Sequence, residues 1–136
     1  MNGVDSELKK KAEVLLEEGY KIWESGKLPA LPESEKNVAL DVALSVCRCE
    51  KAVHFAAACQ SFYLFRKLHA MVSEHPVWAT LLGDYFFSLF SKNLIPIDSV
   101  RLTDEFAKFL SDDARIPVDK ESYLSFVRGL PAVFEA

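Results

Sequence analysis

The chain has 136 residues, half of them hydrophobic, and its 20 acidic and 16 basic side chains leave a formal charge of -4. That length suits one domain with a real core, and the acidic balance argues against nucleic acid or an anionic membrane as main partner, since either favours a basic face. No run reaches eighteen uncharged apolar residues, Met1 to Asp5 lacks the basic-then-apolar pattern of a leader, and three cysteines make no even disulfide framework, so a soluble cytoplasmic protein without a transmembrane segment is expected.

Five glycines, and prolines that stay out of most segment interiors, favour an all-α domain. Leu8, Ala12, Leu15, Leu16, Tyr20 and Trp23 recur at helical spacing, with Lys9, Glu13, Glu17 and Lys21 largely on the other side. A first amphipathic helix follows, stopping near Ser25-Gly26. Pro29 and Pro32 make the next stretch a stiff connector. Ser34 is read as the cap of a second helix whose face is Val38, Val42, Ala43 and Val46. From about Ala52 to Val72, and again from Val77 to Phe90, the sequence is apolar on most sides, as in helices enclosed by others or by a partner chain. Pro76 suits the first turn of the later one, and Ile95-Pro96-Ile97-Asp98 breaks the pattern. A fifth helix is expected from Ser99 to Ser111 on Leu102, Phe106, Phe109 and Leu110, and a sixth from Asp119 on Tyr123, Phe126 and Val127. The reading is a single domain, residues 1–136, of about six helices.

In their order and spacing, several of these segments resemble trans-prenyl diphosphate synthases. The run Phe55 to Met71 resembles the first catalytic helix of that family, approximately A-A-x-E-L-x-H-x-A-S-L-I-H-D-D-x-x-D, and Gly83-Asp84-Tyr85 resembles the G-D-Y element of its next helix. Glu121 to Phe134 is similar to E-x-Y-L-x-x-I-x-x-K-T-A-x-L-F. The resemblance implies a trimmed isoprenoid-synthase-like bundle from which the chemistry has gone. Where the family has its Mg²⁺-binding aspartates, Ala70 and Met71 follow His69, and Gln60 and Tyr63 stand for the glutamate and histidine of E-L-x-H. Gly26-Lys27 stands where the family has its diphosphate loop G-K-R-x-R-P, and of the loop's basic residues only Lys27 remains, its arginines matching Leu28 and Ala30, while Leu130 and Pro131 replace the Lys-Thr pair.

The residues alone lead to the same expectation. A hard cation needs several oxygen ligands, usually carboxylates one helical turn apart, and the adjacent pair Asp112-Asp113 reads as a solvated helix end. Cys47, Cys49, His54 and His69 fall short of a zinc set, because Cys-x-Cys on a predicted helix splays its side chains and the Cys-x₂₋₄-Cys spacing is missing. The cysteines are read as buried and inert. His69 with Cys59 or Ser61 lacks an acidic orienter, so it is read as a core histidine. No catalytic residue, metal or cofactor is assigned.

Lys27, Arg66, Lys67 and Arg128 are read as surface charges or local ion pairs; with His69 they are also the candidate ligand-binding residues, should a diphosphate pocket persist. Phe55, Phe62, Phe65, Phe86, Phe87 and Phe90 either line a pocket for an isoprenoid tail or fill the core. The functional expectation is a non-catalytic subunit or regulatory partner of a prenyl diphosphate synthase, similar to component I of the two-component heptaprenyl diphosphate synthases. It would act through helix–helix association with a catalytic chain, or with itself as a homodimer. The alternative is a binding protein for a small apolar ligand or isoprenoid diphosphate, which an internal cavity supports and a filled core opposes.

Overall fold

Apolar residues three and four apart along α1 (Gly3–Trp23) bring Ala12, Leu16, Tyr20 and Trp23 to one buried stripe. The structure is a computed structural model that describes residues 3–113 and 119–135. Beyond α1 the chain turns at Gly26, whose φ of 90° lies in the left-handed region that a Cβ disfavours. Trp23 Nε1 then donates to the Pro29 carbonyl at 2.8 Å, pinning the proline connector back on the helix it leaves.

Ser34 does not cap α2. It lies in a 3₁₀ turn (Glu33–Glu35), and α2 (Val38–Val46) begins after Asn37, which has a φ of 69° and makes no side-chain cap. The cap comes from another helix: Gln60, fully buried on α3 (Ala52–His69), accepts the Ala39 and Leu40 N–H groups with Oε1 at 2.8 and 3.1 Å. A helix start inside the protein must have its orphan donors satisfied, and here a tertiary partner replaces the local one. The amide nitrogen of Gln60 donates onward to the Glu35 carbonyl at 3.1 Å.

α3 is the central element, packed on α4 (Pro76–Leu94), α2 and α1. Phe55, Ala56, Ala57, Ala58, Cys59, Phe62, Leu64 and Leu68 bury it all round, as its lack of a polar face predicts. α4 is enclosed within the chain on one side only. Ala79, Leu82, Gly83, Phe86 and Phe90 face the interior, while Val77, Trp78, Leu81 and Phe87 are exposed. α1 meets α4 closely at Gly19, where an added Cβ would stand 2.5 Å from the Phe86 ring.

A 3₁₀ turn (Ile95–Ile97) ends α4 at its proline, and Asp98 reverses the chain at a φ of 53°. α5 (Val100–Asp113) follows, then α6 (Lys120–Gly129), which Asp119 caps by accepting the Ser122 N–H at 3.3 Å, and a short α7 (Pro131–Phe134). The backbone of α5 runs through Asp112-Asp113, whose side chains lie outside the described residues. These elements close over Phe62, which meets Phe90, Phe106 and Tyr123 at ring-centroid distances of 5.0, 5.1 and 5.7 Å. The Tyr123 hydroxyl donates to the Cys59 carbonyl at 2.7 Å, which satisfies a phenol buried among apolar rings. Among the described residues the fold is all-α, and no helix is long and apolar enough to cross a membrane.

Candidate functional site

Pro76 at the first turn of α4 starts the helix, and the residues that follow place Val77, Trp78 and Leu81 on one outward side. Their exposures are 62 %, 40 % and 57 %, large for apolar side chains, and Leu81 lies one turn on from both Val77 and Trp78. Lys27, on the connector after α1, holds its ammonium 5.9 Å from the Trp78 ring centroid. Asp84 and Ser88, exposed one and two turns further along the same stripe, end the apolar patch. The result is an apolar face with a cation at one side and a carboxylate at its far end.

The other sequence candidates lie apart from this face and from one another. Lys67 is ion-paired to Glu35 at 2.6 Å, and the Tyr63 hydroxyl donates to the same carboxylate at 2.7 Å. Burial acts to raise the Glu35 pKa, but the contacts with Lys67 and Tyr63 outweigh it and hold the carboxyl below its ordinary value. Burial, then the Glu35 carboxylate, pushes the Tyr63 phenol up, so it stays a protonated donor. Lys120 joins Lys67 around a shallow hollow of about 300 Å³ that neither Lys27, Arg66, His69 nor Arg128 lines. Arg66 is buried on α3, so of the two readings, surface charge or local ion pair, the first does not hold for it, whereas Arg128 is exposed in the last turn of α6, where a cation suits the helix dipole.

His69 is not a core histidine. It is the exposed last residue of α3, its ring 6.3 Å from that of Phe65, beside a surface hollow shared with Val72, Ala79, Thr80, Gly83 and Asp84. The six phenylalanines considered for an isoprenoid pocket all have ring partners: Phe55 meets Phe134 at 4.9 Å, Phe65 meets Phe87 at 4.8 Å, Phe62 meets Phe90 at 5.0 Å, and Phe86 packs 6.4 Å from both Tyr20 and Trp23. All but Phe87, which is exposed on α4, fill space between helices, as aromatics at a close-packed interface do.

Cys47 and Cys59 are buried, as expected, and Cys49 is half-buried; what differs from expectation is the backbone of the Cys-x-Cys pair. α2 stops at Val46, so Cys47 and Cys49 lie on an irregular turn and not on a helix, and their Sγ atoms come within 3.8 Å. Glu135, just past α7, reaches the same turn and accepts the Arg48 and Cys49 N–H groups at 2.7 and 3.1 Å. Burial, reinforced by the Glu135 carboxylate, pushes the Cys47 thiol up, while hydrogen bonding to Cys47 holds the Glu135 carboxyl below its usual value. Neither histidine of the imagined zinc set is in this cluster: His54 Nδ1 pairs with Asn93 Oδ1 at 2.9 Å, and His69 ends α3. The Cys-x-Cys signal was visible in the sequence; its carboxylate partner, 86 residues from Cys49, was not.

Comparison with protein-family models, with curated proteins and with solved structures finds no match to this chain.

Proposed function

We propose that the protein is a non-catalytic helical subunit that docks the outer face of α4 onto an apolar helix of a partner chain. The observation that carries this reading is the exposed stripe Val77, Trp78 and Leu81 beside a core that its aromatic side chains already fill. Exposed contiguous apolar surface marks interaction sites, and tryptophan is enriched among the residues that dominate interface energetics. Lys27 and Asp84, of opposite sign and both exposed, provide a polar rim that sets the register of the contact. The resemblance to trans-prenyl diphosphate synthases supplies the class of partner, a catalytic synthase chain whose activity this subunit supports or regulates. A second copy of the chain is the other occupant the same face fits.

Co-expression with a synthase chain, followed by co-purification and sedimentation, tests this. Complex formation is expected, with affinity lowered more than tenfold by Trp78→Ala and abolished by Leu81→Glu. Strict monomers that recover no synthase chain overturn the reading, and a homodimer lost in Leu81→Glu reassigns the partner to a second copy. The isolated chain is expected to show no turnover of allylic diphosphates with Mg²⁺; chelator-sensitive turnover intrinsic to the chain overturns the non-catalytic assignment. The small-ligand alternative has weaker support, since packed rings occupy the space between helices where an isoprenoid tail would sit. Calorimetry with an isoprenoid diphosphate is expected to register no binding in the wild type or in Lys27→Ala.

A further inference from the structure

We propose that Cys47, Cys49 and Glu135 form a Zn²⁺ site that clasps the end of α7 to the turn between α2 and α3. The two sulfurs are 3.8 Å apart as free thiols. A tetrahedral centre with Zn–S bonds of about 2.3 Å holds its sulfurs about 3.8 Å from one another, so both can reach one ion without moving apart or together. A thiol–thiol hydrogen bond has a similar separation; the carboxylate is what distinguishes the two. One ligand atom from each of Cys47, Cys49 and Glu135 lies within 4.8 Å of the others, so closing the carboxylate on a shared centre takes a movement of at most about 1 Å.

The carboxylate is held there by the fold. Its Oε1 accepts two backbone N–H groups from the cysteine turn itself, the kind of outer-sphere contact that orients a metal ligand. Leu130 and Pro131 are buried, and the Phe134 ring packs on Phe55 of α3 at 4.9 Å, so the residue before Glu135 is anchored in the core. Cys47 is fixed by its own backbone, which donates to the Ala43 carbonyl at 2.9 Å as α2 ends. The three groups are thus brought together by elements that are each packed for other reasons.

The donor set selects the ion. Two thiolates with one carboxylate suit a borderline-soft cation such as Zn²⁺ and disfavour Mg²⁺ or Ca²⁺, which take oxygen ligands. Binding expels the two thiol protons and leaves the fourth tetrahedral position to water. Cys49 is half-buried and Glu135 exposed, so the ion has a path from solvent. Because Glu135 is 86 residues from Cys49 in the chain, an ion held there ties two distant segments and raises the stability of the folded state.

Chelator-stripped, phosphine-reduced protein titrated with Co²⁺ tests the site. The expected result is one ion per chain with a thiolate-to-cobalt charge-transfer band that Zn²⁺ bleaches, and a melting temperature that rises with Zn²⁺. Cys49→Ser is expected to weaken binding by more than the roughly 10- to 100-fold that loss of an outer-sphere partner costs, and Glu135→Gln to weaken it while keeping the charge-transfer band. Alkylation read by mass spectrometry needs no variant: Zn²⁺ is expected to protect Cys49 and Cys47. Absence of the band in the reduced wild type, unchanged affinity in a folded Cys49→Ser protein, alkylation indifferent to Zn²⁺, or a Cys47–Cys49 disulfide that persists under reductant each overturns the proposal.

Discussion

The two sides of α4 carry similar side chains in opposite surroundings. Phe86 and Phe90 face inward, Phe90 meeting Phe62 and Phe106 at 5.0 and 4.9 Å, whereas Trp78 and Leu81 point outward with no such enclosure. Periodicity does not separate them, because a helix that is apolar nearly all round offers no polar face to mark the outside. Their energetic roles differ accordingly. Inward residues are assigned to stability through burial and packing, outward ones to association, where the same area is removed from water only when a partner arrives.

The largest effect expected from this contrast is at the interior. Phe62→Ala removes a ring in contact with Phe65, Phe90, Phe106, Phe109 and Tyr123, and is expected to cost about 3–5 kcal/mol in urea unfolding. A loss under about 1 kcal/mol would break the distinction between the two sides.

Two glycines sharpen it next. At Gly19 an added Cβ meets the Phe86 ring at 2.5 and 2.7 Å, and that ring is boxed by Tyr20 and Trp23, so Gly19→Ala is expected to destabilise by about 1–3 kcal/mol. At Gly83, on α4 itself, the Cβ would sit 3.7 Å from that of Leu68, an ordinary contact. Gly83→Ala is therefore expected to be neutral or stabilising, by up to about 1 kcal/mol of helix propensity. Thermal melts of the pair decide this, and equal losses would show that α4 packs differently against its two neighbours.

Glu35 tests a polar seam between core and surface. Its carboxyl is held below its ordinary value, so its contribution is present above the usual carboxylate range and is lost as pH falls through the lowered folded-state pKa. Glu35→Gln is expected to cost about 1 kcal/mol near neutral pH, with the gap to wild type closing on acidification. A gap that stays constant across an acid titration would remove the ion pair with Lys67 from the account.

The smallest stability effect is expected outside. Leu81→Ala and Trp78→Ala should each change unfolding free energy by less than about 0.5 kcal/mol while weakening partner association. Stability losses near those of Phe62→Ala would mean that this face is part of the core.

Much of the fold was legible because its signals are local. The stripe of α1, Pro76 at the start of α4, the break at Ile95-Pro96-Ile97 and the start of α6 at Asp119 each depend on residues within about one turn, where helix geometry and proline chemistry act. What tertiary structure alone decided lies between residues far apart. Ser34 had the chemistry of a cap, yet Gln60, 20 and 21 residues from the N–H donors Leu40 and Ala39, took that role because α3 packs against the start of α2. His69 left the core because α3 ends there, and Cys47 and Cys49 left the helix because α2 ends at Val46, which lets a carboxylate 86 residues beyond Cys49 reach their turn. Hydrophobic periodicity states which residues leave water; which helix covers them, and which side of α4 stays open, is set by how the elements pack.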